Sequence, residues 1–281
     1  MRVGAASASL LALAVTLTTS VSASADPCRS EQPETGAAAR LSFGPAGFGS
    51  VPEACPATEA SLQGFATLLV AMEDFYGLVD AGVAPRARLR LSERVWISAW
   101  LSSVEYRYSA NATIEASSTG LGAAAMGFHH AFTLTRSIGI APFVRVLYPM
   151  ESGYQNATRY GFDHGVSAVA QIGGWLEAVG GITFPALLTL NGNTLHTSYS
   201  PMLDAEAVFK PFRVLSLLVG AGLRLRSGDD QGIDGFDPRA GFRLYPLGGM
   251  RVELGAAFPV GGRDRTDVVG GLNLGWIFDE Q

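Results

Sequence analysis

The chain has 281 residues and a formal net charge of −5, which argues against a nucleic-acid partner. Charged residues make up 16% of it, below the roughly 25% of an average soluble domain, and mean hydropathy is positive at +0.22. Past the N-terminus no run of about 18 residues is both apolar and uncharged, which excludes membrane-crossing helices from that remainder.

The chain opens with MRVGAASASLLALAVTLTTSVSASA. Arg2 supplies a positive start, Leu10–Leu17 an apolar run, and Ala23-Ser24-Ala25 a small-residue cleavage site. This predicts a secretory signal peptide over 1–25, cut before Asp26. Cys28 does not follow the cleavage site directly, so no lipoprotein anchor is expected. Cys28 and Cys55 are the two cysteines, and in an exported protein they are expected to bridge. Residues 26–62, rich in Gly, Pro and Ala, show no strand period and read as a periplasmic extension, loose or plugging the lumen.

Period-two alternation then sets in. It predicts strands over 63–72, 78–91, 95–108, 119–133, 138–147, 162–172, 175–184, 202–210, 214–226, 237–246, 250–258 and 267–278. That is twelve, with ten as the alternative count, because 95–108 and 119–133 alternate poorly and predict a bulge. Short connections at 92–94, 135–137, 173–174, 211–213 and 247–249 take turns with longer ones. The first long-side connection, 73–77, is brief. Tight turns at one end and long loops at the other are the pattern of outer-membrane barrels. The expected fold class is therefore all-β: one transmembrane, antiparallel, up-and-down β-barrel over 63–281.

The charges assign the faces. In VAPRARLRLSERVW, Arg86, Arg88 and Arg90 stand two apart with apolar residues between them. A strand gathers all three on one face. The same holds for Asp204, Glu206 and Lys210, for Arg224 and Arg226, for Asp237, Arg239 and Arg243, and for Arg251 and Glu253. A slip of one residue would exchange the faces, so shared parity is informative. Aromatics mark both strand ends. Trp96, Phe132, Trp175, Phe209, Phe212, Tyr245, Trp276 and Phe278 lie near the short turns. Phe75, Tyr76, Tyr106, Tyr108, Tyr148, Tyr160, Phe162, Phe184, Phe236 and Phe258 lie near the long loops. Two such bands predict interfacial girdles, and with them an apolar face turned to lipid.

The closing GGLNLGWIF resembles the apolar-alternating last strand, ending on an aromatic, of Gram-negative outer-membrane β-barrel proteins. The resemblance covers residues 63–281 and implies a cell outer membrane location, with outer-membrane lipid and the barrel-assembly machinery as partners. DEQ follows Phe278 here, whereas members of that class often end on the aromatic itself.

The expected lumen is lined by Arg86, Arg88, Arg90, Arg107, Arg145, Glu177, Asp204, Glu206, Lys210, Arg224, Arg226, Arg239, Arg243, Arg251 and Glu253, with Glu105, Asp163 and Asp237 among its acidic side chains. Rings of arginine set pore selectivity, so a narrow channel for small polar or anionic solutes is expected. The alternative is a closed structural or surface-interaction barrel acting through its loops. No catalysis, cofactor or metal is expected: there is no G-x-S-x-G, no nucleotide-binding loop and no Cys/His metal spacing. Asp229, Asp230, Asp234 and Asp237 read as a solvated acidic loop, since the EF-hand spacing is missing. Oligomeric state has no signature in the sequence.

Overall fold

The computed structural model describes residues 54–71, 76–101, 103–110, 115–148, 157–191, 194–226, 232–247, 249–260 and 268–278. All regular structure in them is β. Twelve barrel strands follow from it. They are β1 Glu59–Ala71, β2 Tyr76–Arg90, β3 Val95–Trp100 continuing as Val104–Ala110, and β4 Glu115–Leu121 continuing as Ala124–His130 and Phe132–Thr135. Next come β5 Ile138–Tyr148, β6 Ala157–Ile172, β7 Leu176–Asn191 and β8 Thr194–Tyr199 continuing as Met202–Phe212. The last are β9 Leu215–Arg226, β10 Gly232–Leu244, β11 Met250–Ala257 and β12 Val268–Ile277.

Each strand pairs antiparallel with its sequence neighbour, and β1 pairs with β12 from Glu59↔Ile277 to Leu68↔Val268. The sheet therefore closes and leaves no edge for another chain to add to. β1 begins at Glu59, earlier than the expected residue 63. Two tight turns require φ > 0, and glycine supplies it at Gly173 (φ 71°) and Gly249 (φ 75°).

The weak alternation in the third and fourth strands has a physical cause. On β2, Arg86 faces Trp100 and Val83 faces Val104, so two β2 residues oppose three on β3. This is a bulge, and it exchanges the faces along β3: Trp96, Ser98 and Trp100 point in, then Ser103 does. β4 breaks at the matching place, where the Gly122 N–H donates to the Ser103 carbonyl at 2.8 Å.

The inner face is packed, and small residues let it be so. A Cβ on Gly165 would collide with the Ile182 carbonyl oxygen, the Phe143 ring and the Thr183 Cα on the two flanking strands. Gly165→Ala is expected to cost about 1–3 kcal/mol through overpacking, read as a lower urea midpoint in detergent micelles.

Candidate functional site: the barrel interior

Alternation gives the wall two chemistries. Outward stand exposed apolar side chains such as Leu62, Val83, Leu89, Leu217, Val219, Leu254 and Leu272. Their parity partners Gln63, Arg86, Arg88, Ser216, Leu218, Glu253 and Asn273 are buried inside. Water cannot be the solvent of such an outer face; lipid can. Trp175, Phe209, Phe212, Trp276 and Phe278 are exposed outward at the short-turn end. Tyr106, Tyr148, Tyr160, Phe162, Phe236 and Phe258 are exposed toward the long-loop end. Between the long-loop aromatics runs an outer stack: Phe162 to His164 at 5.7 Å, His164 to Phe184 at 5.5 Å, and Phe184 to Tyr199 at 6.2 Å. Two aromatics expected in the girdle are not there. Trp96 is 0% exposed and Tyr245 is 5% exposed, both turned away from lipid. Val95, Ile97 and Ala99 alternate with Trp96, Ser98 and Trp100, so both faces of β3 are apolar and parity carries no signal there.

Inside, the charges are matched strand to strand. Arg145 on β5 faces Asp163 on β6 and grips it with two hydrogen bonds, 2.9 and 2.6 Å, with neither side chain exposed. Arg243 on β10 donates to Glu253, its register partner on β11, at 2.8 Å. Lys210 on β8 reaches Glu177 on β7 at 2.9 Å. Arg239 on β10 passes over β9 to Asp204 and Glu206 on β8. The passage is open because Gly220 and Gly222 stand between. Glu59 on β1 takes Arg88 from β2 and Arg251 from β11, and Gly275 on the intervening β12 has no side chain to block the second contact. The Arg86 guanidinium lies 4.8 Å from the Trp100 ring centre, and that of Arg145 lies 5.6 Å from it on the same ring. Such cation–π contacts favour a desolvated guanidinium.

Packing is uneven along the axis. Side-chain exposure is 1% at Arg88 and 0% at Arg145, but 36% at Arg107 and 44% at Arg224. The last two, paired with Asp80 at 2.8 Å and Asp237 at 3.8 Å, line a wetter vestibule toward the long loops. The short-turn end is filled by the chain itself. Ala54 and Cys55, just before β1, are buried against Val169, Val179, Val208 and Leu218. Arg88 donates to the Cys55 carbonyl at 3.5 Å, and the Arg90 N–H donates to the Thr58 hydroxyl at 3.3 Å.

Of the residues expected to line the lumen, Arg86, Arg88, Arg145, Glu177, Asp204, Glu206, Arg243, Arg251 and Glu253 are buried. Lys210 and Arg239 are partly buried, and Arg107 faces the vestibule. Arg90 is exposed at the short-turn rim, and Arg224 is exposed at the vestibule. The Arg226 side chain, Cys28 and the acidic positions 229, 230 and 234 lie outside the residues whose side chains are described.

Sequence reasoning missed Glu59, which had been placed in the N-terminal extension. Its signal was present: Glu59, Ser61, Gln63 and Phe65 alternate with Ala60, Leu62, Gly64 and Ala66. It also missed a buried pair, Ser98 Oγ and His129 Nε2 at 2.8 Å, with His129 stacked on Trp96 at 4.9 Å. Thirty-one residues separate that pair, and no short motif announces it.

No family model matches the chain, and no curated protein matches it in sequence. Solved structures do match in shape. An outer membrane channel from Pseudomonas putida F1 aligns with a TM-score of 0.58 at 11% identity, over 84% of this chain and 99% of that one. The translocator domain of the autotransporter NalP from Neisseria meningitidis aligns at 0.53 and 9% identity, over 79% of this chain and 88% of that one. The β domain of the Bordetella autotransporter BrkA aligns at 0.52 and 9% identity, over 79% and 100%. The fold of this chain is that of the Gram-negative outer-membrane β-barrels, closed by twelve strands, apolar toward lipid and charged within.

Proposed function

We propose that this barrel resides in the outer membrane as a narrow channel for small polar or anionic solutes, held shut at its short-turn end by the chain preceding β1. One observation carries the reading: Ala54 and Cys55, each 1% exposed, occupy the inside of the barrel where a passage would leave it. Solutes would enter from the long-loop side, where Arg107 and Arg224 meet water. The shape shared with the Pseudomonas channel supports passage as the role. A tether would add to closure, since Cys28 and Cys55 are the two cysteines of the chain. A Cys28–Cys55 bridge would hold the closing segment, after removal of residues 1–25 as a signal peptide, on the periplasmic side. The assembly machinery would read β12 with Phe278, and outer-membrane lipid would cover the wall. Ser98 and His129 act as interior packing, since Trp96 and Phe143 flank the His129 ring.

The second reading is a closed structural barrel acting through its loops, and the paired charges favour it, because fixed ion pairs stiffen a lumen as well as they line one. Planar-bilayer recording decides between them. The full chain is expected to show small, rare openings. A variant lacking residues 27–56 is expected to conduct several-fold more, with anion preference set by the arginines. Silence from both would establish the closed reading and end the channel.

A further inference from the structure

We propose that the short-turn rim is a binding surface for anionic phospholipid, with Arg94, Arg136 and Arg213, spaced around the barrel, each holding the phosphate of a separate headgroup. The three arginines sit on the β2–β3, β4–β5 and β8–β9 turns and are all exposed. Inside the barrel Arg88, Arg145, Arg239, Arg243 and Arg251 are matched to carboxylates, as described above. Among the described residues these three make no ion pair, and Glu93 is the one acidic side chain on the described short turns.

The setting points to lipid rather than to a soluble anion. The turns are apolar at their tips: Leu91, Leu134, Phe212, Val214 and Leu247 are all exposed. They continue the lipid-facing wall, from Leu89 to Leu91 on one hairpin and from Phe209 to Phe212 on another. The rim therefore sits within the membrane interface, not below it. Beside the arginines lie the girdle pairs, His130 on Phe132 at 4.4 Å and Trp175 with Phe209 at 6.3 Å. Amphipathic rings of this kind settle at headgroup level. A guanidinium at that depth meets phosphate, to which its planar fork is matched. An anionic headgroup adds the attraction of its net charge.

The rim has a built-in reporter. Trp175 and Trp276 are exposed there, while Trp96 and Trp100 are buried inside. The full chain, reconstituted in phosphatidylcholine vesicles, is titrated with brominated phosphatidylglycerol or brominated phosphatidylcholine while tryptophan emission is read. Phosphatidylglycerol is expected to quench with about fivefold higher relative association, on the order of one charge's worth of surface attraction. The preference is expected to vanish in R94Q/R136Q/R213Q and to persist in the matching lysine variant. Heat-modifiable migration on gels verifies that both variants fold. Equal quenching by the two lipids in the native chain, or a preference that survives the glutamine variant or is abolished by added inorganic phosphate, overturns the assignment. The readout does not depend on conductance, so it stands or falls apart from the channel.

Discussion

Glu59→Ala is expected to lower the stability of the barrel by about 3–5 kcal/mol, the cost of stranding a buried charge, with the urea midpoint in detergent micelles falling accordingly. The carboxylate is 3% exposed and receives Arg88 from one side and Arg251 from the other. Removing it leaves two guanidiniums facing each other with no anion between them. Arg88 also loses the partner that aims it at the Cys55 carbonyl, so the segment before β1 is loosened as well. Glu59→Gln keeps the shape and loses the charge, and is expected to recover only part of the loss. A cost below about 1 kcal/mol, the figure typical of a solvated pair, would mean that water reaches this layer and that the short-turn end is open.

Asp163→Ala is expected to cost a similar amount, about 3–5 kcal/mol, because Arg145 is then buried without its counter-charge. Here a double substitution separates charge from packing. Arg145→Met with Asp163→Leu fills comparable volume with apolar side chains, and buried pairs replaced in this way are often neutral or stabilising. The double variant is therefore expected to be more stable than either single one. A thermodynamic cycle over Arg145→Met, Asp163→Leu and the pair measures the coupling. Arg145 also lies 5.3 Å from the centre of the Phe143 ring, so the Met variant keeps the ring covered while removing the cation. If the double variant were as unstable as Asp163→Ala, the pair would be holding the strands together rather than merely neutralising itself.

Much of the architecture was legible because a barrel wall forces each residue to one of two faces. Arg86 and Arg88 between Pro85, Ala87 and Leu89 could alternate only one way, and the alternation also located the turns at Gly173 and Gly249. It failed where both faces are apolar. Trp96 looked like a girdle residue because it lies near a turn, yet it fills the interior against His129. Tyr245 stands one residue past β10 and was misplaced for the same reason. The interior itself was legible as a set of side chains and illegible as a set of pairs. Register fixes that Arg243 meets Glu253, but nothing local reveals that Arg239 crosses β9 or that Arg251 crosses β12. Those contacts depend on glycines in the strand between, a feature that alternation treats as blank.

The clasp at Glu59 joins side chains 192 residues apart in the chain, and it has a consequence for biogenesis. A growing or partly delivered polypeptide has a first strand paired on one edge only, and a ribbon with two hungry margins invites sister molecules to zip onto it. Contacts of such long range form late and slowly. Until its final hairpin arrives the barrel cannot close, and a truncation near its C-terminus would yield not a smaller barrel but a sticky sheet.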